Sequence, residues 1–367
     1  MRQTVFLAAG GTGGHVFPAV AVAEQLSQQG LRPVLITDQR GRRIISETPQ
    51  GMAIRTIAAA TPFGGTRVKQ IKGLAKLAFG GLQSLLLALW YRPKAVMGFG
   101  GYPAVAPVMI GAMLGRPAIL HEQNAFFGRA NRFLARHARE IALSWENTSN
   151  IPETEKNKVF IAGMPVREAF RSTPAYTPPA ATGEIRLMIV GGSLGAKVFG
   201  ETVPEAISRL PSALRQRLVI TQQARKDQIE AVRSQYENAG VRAELHEFIT
   251  NMPEHLGQTH LVISRAGASS VAELAASGRP ALLVPFPGAM DDHQTANART
   301  VAAIGGGWCI PEKEMSAGSL AGRIAALVTS KDELKCAARA ISQLDPGPAA
   351  AILTAHASAL IKGTPRT

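Results

Sequence analysis

The sequence predicts an α/β protein with two doubly wound, Rossmann-like domains that face a cleft. Apolar strand-like runs alternate with helix-like segments along most of the 367 residues, which is typical of parallel sheets. Both halves open with a strand, a glycine-rich turn and a helix, in VFLAAGGTGGHVFPAVAVAEQL and in LMIVGGSLGAKVFGETVPEAI. A Pro-rich polar stretch over residues 172–183 lies between the halves and is typical of a linker.

The predicted strands form two series of short apolar runs, one in each half. The first series is Thr4–Ala8, Val34–Thr37, Ala95–Met97, Ala118–His121 and Ile141–Leu143. The second series is Leu187–Val190, Leu218–Thr221, Leu261–Ile263 and Ala281–Val284. Ligands of open α/β sheets bind beyond the carboxyl ends of the strands. The loops that follow these runs are therefore the candidate site.

The charge and the cysteine content narrow the class of protein. The net charge of +14 and the pI near 10.3 favour polyanionic partners, such as nucleotides or an acidic membrane surface. Nucleic acid is not expected, because zinc-finger spacing, RNP-like aromatic motifs and basic-zipper heptads are missing from the sequence. Cys309 and Cys336 are the two cysteines, which excludes a disulfide scaffold and a Cys-rich zinc site.

Two glycine-rich turns suit the close approach of a ligand. Gly10–His15 and Gly191–Ala196 each follow a predicted strand, and a helix that starts there presents unpaired N–H groups to an anion. The first turn lacks the G-x-G-x-x-G spacing of nicotinamide enzymes. His15 could be a functional side chain or a capping residue, and Ser193 could donate its hydroxyl to a phosphate oxygen.

The segment 264–298 is the most informative part of the sequence. Ala266–Ser270 predicts a loop that enters a helix, with Ser269 or Ser270 as the N-cap. A diphosphate fits such a helix start. Glu273 could accept hydrogen bonds from both hydroxyls of a ribose, or could simply complement the helix dipole. Asp291, Asp292 and His293 suit sugar hydroxyls better than a metal, because adjacent residues rarely converge on one ion.

These motifs carry a resemblance to a known family. GGTGGHVFPA, GFGGYPAVAP, HEQNAFFGRANR, GMPVR, GGSLGA, EFITNM, RAGASSVAELAASGRPALLVPFP and DHQTANA follow one another along residues 3–345. In this order they resemble the MurG family of bacterial peptidoglycan synthesis. The resemblance implies a GT-B glycosyltransferase and an inverting transfer of N-acetylglucosamine from its UDP donor to undecaprenyl-linked lipid I. It implies no cofactor and no nucleotide-binding metal.

The resemblance also implies a division of labour between the domains. Residues 1–166, with a C-terminal helix over 346–363 packed back on them, would face the acceptor and the membrane. Residues 167–345 would bind the UDP-sugar. By position the implied substrate contacts are Thr12, Gly13, Gly14, Asn124, Arg167, Ser193, Ile249, Ala268, Ser269, Ser270, Val271, Ala272, Glu273 and Gln294. Met164 departs from the family pattern, since GMPVR carries it where an Asn is expected.

The implied reaction needs a general base and a membrane contact. His15 is the first candidate base because its unperturbed pKa is near 6.5, and Glu122 is the second. Residues 67–91 predict a helix with Lys69, Lys72 and Lys76 near one another and with Leu74, Phe79 and Leu82 beside them. We expect it to dock on anionic lipid at the cytoplasmic face of the inner membrane, with cell-wall synthesis and division proteins as further partners.

Three alternatives from the sequence stay open at this point. A UDP-N-acetylglucosamine 2-epimerase or another GT-B glycosyltransferase would share the two-domain fold. A nicotinamide-dependent oxidoreductase is disfavoured by the glycine spacing. A non-catalytic nucleotide-binding scaffold would keep the Glu273 region and tolerate the loss of His15. Turnover of the sugar nucleotide with and without a lipid acceptor separates the epimerase from the transferase, cofactor absorbance on binding identifies an oxidoreductase, and His15→Ala distinguishes a scaffold from an enzyme.

Overall fold

The computed structural model describes residues 2–45, 48–60, 67–192, 195–289, 292–345 and 347–363, without the side chains of 67–72 and 74. The chain divides into two units. Met1–Val166 and Pro346–Thr367 form the first, and Arg167–Asp345 forms the second. Each unit is an open parallel sheet with helices on its faces, as the alternating apolar runs predict.

The first unit contains, within the described residues, a seven-stranded parallel sheet of order β3-β2-β1-β4-β5-β6-β7. Its strands are β1 (Thr4–Ala8), β2 (Arg32–Thr37), β3 (Ala53–Thr56), β4 (Ala95–Gly98), β5 (Ala118–Glu122), β6 (Glu140–Leu143) and β7 (Val159–Ile161). Its first five helices are α1 (Gly13–Gln28), α2 (Gln39–Ile44), α3 (Arg67–Tyr91), α4 (Tyr102–Met113) and α5 (Arg129–Leu134). The strand order reverses between β1 and β4, so the loops after these two strands border the point where ligands of such sheets bind.

The second unit repeats the arrangement. Among the described residues its sheet has six parallel strands, in the order β10-β9-β8-β11-β12-β13. The strands are β8 (Ile185–Val190), β9 (Leu218–Gln223), β10 (Arg242–His246), β11 (Leu261–Ser264), β12 (Ala281–Leu283) and β13 (Gly307–Cys309). The helices are α6 (Glu168–Arg171), α7 (Lys197–Ser208), α8 (Ser212–Arg215), α9 (Ile229–Asn238), α10 (Met252–Gln258), α11 (Ala268–Ser277), α12 (His293–Ala303), α13 (Ala317–Thr329) and α14 (Lys331–Ser342).

Helix α3 covers the whole of the predicted 67–91 segment and runs through Gly80 and Gly81 without a break. Gly80 has no room for a side chain, because a Cβ there would lie 2.1 Å from the carbonyl oxygen of Ala58. Gly80 thus lets the segment that contains Ala58 pass close to the helix. No helix in the described ranges has both the length and the apolar character needed to cross a membrane.

The Pro-rich stretch belongs to the second unit. Its Pro174 carbonyl accepts a hydrogen bond of 2.6 Å from Nη2 of Arg279, a buried side chain that also donates to three other carbonyl groups. Arg171 and Asp345, at opposite ends of the unit, form a bidentate ion pair with N–O distances of 2.7 and 2.8 Å. These contacts fix both ends of the second unit.

A last helix, α15 (Ala349–Lys362), completes the first unit. Leu353 and Ala357 are buried in the same apolar cluster as residues of α1 and β1. On another face of the helix, the ring of His356 stacks on Phe160 at 3.9 Å, and its Nδ1 lies 2.7 Å from Oε2 of Glu140. Apolar burial and a paired histidine together hold this helix in place.

Candidate functional site

The glycine turn of the first unit connects β1 to α1 and is braced by the next strand. Gly11 has a φ of +80°, which favours glycine, and its N–H donates to Oδ1 of Asp38 at 3.2 Å. The same oxygen accepts from the Gly41 N–H at 2.8 Å and caps α2. Asp38 therefore fixes the position of the turn from the end of β2.

The predicted residues Thr12, Gly13 and Gly14 begin α1. Thr12 is exposed and stands at the N-cap without a side-chain capping bond, and the first helical glycines carry no side chain that could screen the helix start. This end of α1 therefore offers main-chain N–H groups and the positive end of a helix dipole to a polar ligand.

His15 is the third residue of α1, is half-buried, and is held from two sides. Its Nδ1 lies 3.1 Å from Oε1 of Gln123, which follows β5. Gly100 and Gly101, both with positive φ, lie against the ring, and a Cβ on Gly100 would come within 3.1 Å of the His15 Cε1 and Nδ1 atoms. The structure thus brings the GGTGGH, GFGG and HEQN motifs together at one imidazole.

Glu122, the second candidate base, is 2% exposed at the end of β5. Its Oε1 accepts from the main-chain and side-chain nitrogens of Asn124, at 3.0 and 3.1 Å. Its Oε2 accepts from the Gly128 N–H at 3.0 Å and from Nδ2 of Asn131 at 2.8 Å. In the structure this carboxylate holds the loop that carries Asn124, which is half-buried beside it.

In the second unit the side chain of Gln223 connects the turn after β8 to the loop after β10 by hydrogen bonds. The Gly191 N–H donates to Oε1 of Gln223 at 3.1 Å, and Nε2 of Gln223 donates to the Glu247 carbonyl at 3.2 Å. Ile249 follows on the same loop with its side chain buried, which leaves its main chain to contact a ligand. Ser193, the predicted phosphate contact, lies outside the described residues.

The N-cap of helix α11 lies two residues before Ser269, the earlier of the two predicted caps. Gly267 is the N-cap, with extended backbone angles, and it makes no side-chain capping bond. The prediction of Ser269 or Ser270 as the cap is therefore wrong, since both serines lie half-buried inside the first turn. The main-chain N–H groups of this turn, which begins at Ala268, receive no side-chain cap from Gly267 and form the positive end of the helix dipole.

Glu273 lies one turn further along α11, beside Val271 and Ala272, which are buried. Burial raises the pKa of Glu273 to about 7, and the charge of Arg167 opposes that rise. Arg167 precedes α6, and its guanidinium lies 5.1 Å from the centre of the Phe170 ring. The structure thus places the two predicted nucleotide contacts of this region within electrostatic reach of each other.

Gln294 is the second residue of α12 and is half-buried. Its Oε1 accepts a hydrogen bond of 3.0 Å from the Phe286 N–H, which directs its NH2 group away from the 286–289 loop. The two residues before that loop are held by Arg265, whose Nη1 donates to the Val284 and Pro285 carbonyls at 3.2 Å. A side-chain amide fixed in this way suits a sugar hydroxyl.

Metal-binding capacity lies elsewhere in the second unit. Within the described ranges, Glu244, His246 and His255 are the group whose ligand atoms lie within 4.8 Å of one another. None of them is a predicted site residue, and Glu244 already pairs with His246 at 3.0 Å. Asp291 lies outside the described residues. The Oδ1 of its neighbour Asp292 accepts from the Thr295 hydroxyl at 2.6 Å.

Sequence reasoning missed several residues that position the site. Asp38, Gln223 and Arg265 are buried polar side chains that fix the loops, and each acts across a long sequence separation. Gln123 carried a signal, because it lies inside the HEQN motif. Met164 is 3% exposed with its Sδ 3.6 Å from the Ser144 hydroxyl, so a thioether occupies the place of the expected amide.

Comparison with known proteins identifies relatives over nearly the whole chain. The glycosyltransferase family 28 N-terminal domain matches residues 5–143, and the family 28 C-terminal domain matches residues 186–347. A UDP-N-acetylglucosamine–N-acetylmuramyl-(pentapeptide) pyrophosphoryl-undecaprenol N-acetylglucosamine transferase of Rhodospirillum centenum is 45% identical, over 92% of this chain and 89% of its own. The enzyme of the same name from Granulibacter bethesdensis is 44% identical, over 94% and 90%.

Solved structures share the fold. The crystal structure of Acinetobacter baumannii MurG is 29% identical with a TM-score of 0.76, and the match covers 97% of this chain and 99% of that one. CalG4, the calicheamicin glycosyltransferase, has a TM-score of 0.67 at 13% identity, over 98% of each chain, which supports the fold alone. The predicted fold class, two Rossmann-like domains of the GT-B type, is confirmed.

Proposed function

The chain belongs to the MurG family of glycosyltransferases, and from this membership we propose that it transfers N-acetylglucosamine from UDP-N-acetylglucosamine to undecaprenyl-pyrophosphoryl-MurNAc-pentapeptide. The C4 hydroxyl of MurNAc would attack the anomeric carbon with inversion and expel UDP. The observation that carries the proposal is the hydrogen bond between His15 and Gln123, which joins two family motifs at one potential base. The identity of 45% to a relative with this name supports the substrates.

The second unit supplies the groups suited to UDP-N-acetylglucosamine. The diphosphate would lie at the start of α11, where main-chain N–H groups near Ser269 meet the charge that grows on the leaving group. Loss of one such donor typically costs about 3–4 kcal/mol of barrier. Glu273 would accept from the ribose hydroxyls, the Ile249 main chain would contact the uracil, and Gln294 would donate to the sugar.

Arg167 would approach the nucleotide from the start of α6, and Ser193 would donate to a phosphate oxygen. For Arg167 the support is its electrostatic contact with Glu273. For Ser193 it is the family motif, together with Gly191 and Gly192, which form the tight turn ahead of it. No step of this mechanism uses a metal.

The first unit supplies the base. His15 would accept the proton of the attacking hydroxyl, which is worth roughly 10²–10⁴-fold in rate. Glu122 is the weaker candidate, because each of its oxygens already accepts two N–H groups of the 124–131 segment. Thr12, Gly13, Gly14 and Asn124 border the same region and would contact the acceptor and the donor sugar.

A peripheral position on the cytoplasmic face of the inner membrane follows from the acceptor. Helix α3 presents exposed apolar side chains at helical spacing, among them Phe79 (56% exposed), Leu82, Leu86 and Trp90 (82% exposed). Lys76 is exposed on the same helix, whereas the side chains of Lys69, Lys72 and Leu74 lie outside the described part. Such a helix fits a lipid surface. Cell-wall synthesis and division proteins would be neighbours there.

The experiment that tests the function is transfer of radiolabelled sugar from UDP-N-acetylglucosamine to a short-chain lipid I analogue. The proposal predicts label in the lipid product and UDP release that depends on the acceptor. Turnover of UDP-N-acetylglucosamine without any acceptor would instead identify a 2-epimerase. Tight nucleotide binding with no turnover in either assay would identify a scaffold.

A further inference from the structure

Three polar side chains of the first unit form a continuous hydrogen-bonded chain that ends at His15. Nε2 of His121 lies 2.8 Å from the Gly163 carbonyl. Nε2 of Gln123 lies 3.0 Å from Nδ1 of His121 and 3.1 Å from its carbonyl oxygen. Oε1 of Gln123 lies 3.1 Å from Nδ1 of His15. His121 and Gln123 are each 1% exposed, so this chain is built into the core.

The carbonyl groups in this chain fix the direction of every hydrogen bond. A carbonyl oxygen only accepts, so the Gln123 atom beside the His121 carbonyl must be its NH2 group. The other end of the amide is then the oxygen, which also only accepts. Nδ1 of His15 must therefore carry the proton in their shared bond. In a neutral imidazole the lone pair then resides on Nε2.

The far end of the chain supports the same direction. Nε2 of His121 donates to the Gly163 carbonyl, so its Nδ1 accepts from Gln123. Burial, together with the charge of His15, lowers the pKa of His121 to about 4, although the hydrogen bond to the Gly163 carbonyl opposes the shift. His121 is therefore neutral near pH 7 and keeps its acceptor atom toward Gln123.

We propose that Gln123 is a positioning residue, which holds the proton of His15 on Nδ1 and so presents the Nε2 lone pair as the base for the acceptor hydroxyl. His121, through its carbonyl and its ring, orients Gln123. The base role rests on the proposed function, whereas the tautomer does not. A neutral amide orients the imidazole without adding a negative charge beside it, unlike the carboxylate of a serine-protease triad.

The Gln123 amide oxygen is a partner of defined polarity for Nδ1 of His15. The first turn of α1 contains no acidic residue. The surrounding loops contribute Asp38 and Arg40, which pair with each other at 3.0 Å, as well as Tyr102, Glu122 and His121. Glu122 is directed toward the 124–131 segment by its four hydrogen bonds.

The test is nitrogen-detected NMR of the histidine side chains in the full-length protein. The wild-type protein should show neutral His15 with its proton on Nδ1. Gln123→Met keeps the side-chain length but removes both polar atoms. In that variant the proton should move to Nε2 in most molecules, and kcat should fall at least about tenfold while the KM for UDP-N-acetylglucosamine stays the same.

Gln83→Met is the matched control. It removes the hydrogen bond of 2.7 Å that the Ala58 N–H donates to Gln83 in the same unit, away from His15, and it should leave the tautomer and kcat unchanged. A wild-type His15 with its proton on Nε2 overturns the proposal without any variant. So does a Gln123→Met protein with wild-type tautomer and kcat. A protein without transferase activity that still protonates Nδ1 contradicts the proposed function and supports the role of Gln123.

Discussion

The two glycine-rich turns follow the same strand–turn–helix pattern, but the groups near them that could contact a substrate differ. The turn after β1 leads into a helix that carries His15, and the Gln123 side chain and the backbone of Gly100 and Gly101 hold that ring. The turn after β8 is held by Gln223, and the neighbouring α11 offers an uncapped main-chain end instead of a reactive side chain. In the proposed mechanism, one architecture thus provides a base in the first unit and a binding site for the diphosphate in the second. Side-chain substitutions should therefore impair rate in the first unit and affinity in the second.

The largest expected effect is that of His15→Ala. Loss of the base should reduce transfer to the lipid I analogue by roughly 10²–10⁴-fold. The other candidate base, Glu122, already accepts four hydrogen bonds from the 124–131 segment. The affinity for UDP-N-acetylglucosamine, measured by calorimetry, should stay within about twofold. A comparable loss of affinity for UDP-N-acetylglucosamine would contradict the idea that the first unit determines the rate and the second unit determines nucleotide binding.

Glu273→Gln tests the other side of the comparison. An amide has one acceptor oxygen where the carboxylate has two, and a hydrogen bond to a charged group is worth about 1.5–3 kcal/mol. UDP affinity should therefore fall by about 10–100-fold. In the same titrations His15→Ala should bind UDP normally. Unchanged affinity in the Glu273 variant would remove this residue from the nucleotide site.

Gly100→Ala sharpens the claim that the His15 ring is held by its neighbours. The new methyl group would lie 3.1 Å from the ring at a φ of +82°, so the imidazole must shift, and transfer should fall by about tenfold. Gly30→Ala has the same backbone cost at a φ of +78° and no atom within 4 Å. Both variants should lose about 1 kcal/mol of stability, but only the first should lose activity. Equal activity in both would contradict the packing argument.

Binding to lipid vesicles should distinguish the two units, because it should depend on the exposed apolar face of α3. Leu86→Ser and Trp90→Ser together should weaken binding to vesicles of anionic lipid by about tenfold, since each side chain loses part of its apolar transfer energy. Ile304→Ser removes an exposed apolar side chain, 40% exposed, from the second unit, and it should leave vesicle binding unchanged. Equal loss in both variants would show that the membrane contact is not confined to α3.

The last prediction concerns the pH dependence of stability. Because the pKa of Glu273 rises from 4.5 to about 7 on folding, the folded state binds this proton more tightly, and its stabilising contribution is lost as the pH rises through 7. Glu273→Gln should unfold with nearly the wild-type free energy near pH 4.5. By pH 8 it should be about 2 kcal/mol more stable, after allowance for partial exposure. Denaturant titrations at the two pH values measure this difference, and parallel curves would contradict the pKa shift.

The sequence was sufficient for the fold class but not for every strand. The central strands β1, β4, β5, β8 and β11 are largely buried, and each contains at least three consecutive apolar residues that can be recognised in the sequence. The edge strands β3 and β10 include exposed Arg and Glu side chains, and β7 and β13 have three residues each. The strands β3 and β10 lack a continuous apolar run, and β7 and β13 are too short to be recognised as strands from the sequence. Pairing with a neighbouring strand makes them part of the sheet.

The candidate site divides in the same way. Residues within one motif could be predicted, because glycine turns and helix starts are local features of the sequence. The contacts that position them could not, since Asp38 acts on Gly11 across 27 residues and Gln123 acts on His15 across 108. The start of α11 was misplaced because Gly267 can serve as an N-cap without a side chain, so the two serines gave a false signal.

The helix α15 constrains how the protein can be made. Residues buried in the first core, such as Leu353 and Ala357, leave the ribosome only after all of the second unit has been synthesised. While the second unit is being synthesised, the apolar side chains of α1 and β1 that α15 covers therefore stay exposed in the first unit. The second unit has its whole sequence available before α15 is made. A fragment that stops at residue 166 lacks α15, which covers this apolar surface. Truncation from the C-terminal end should expose the first unit to chaperones and proteases before it affects the second.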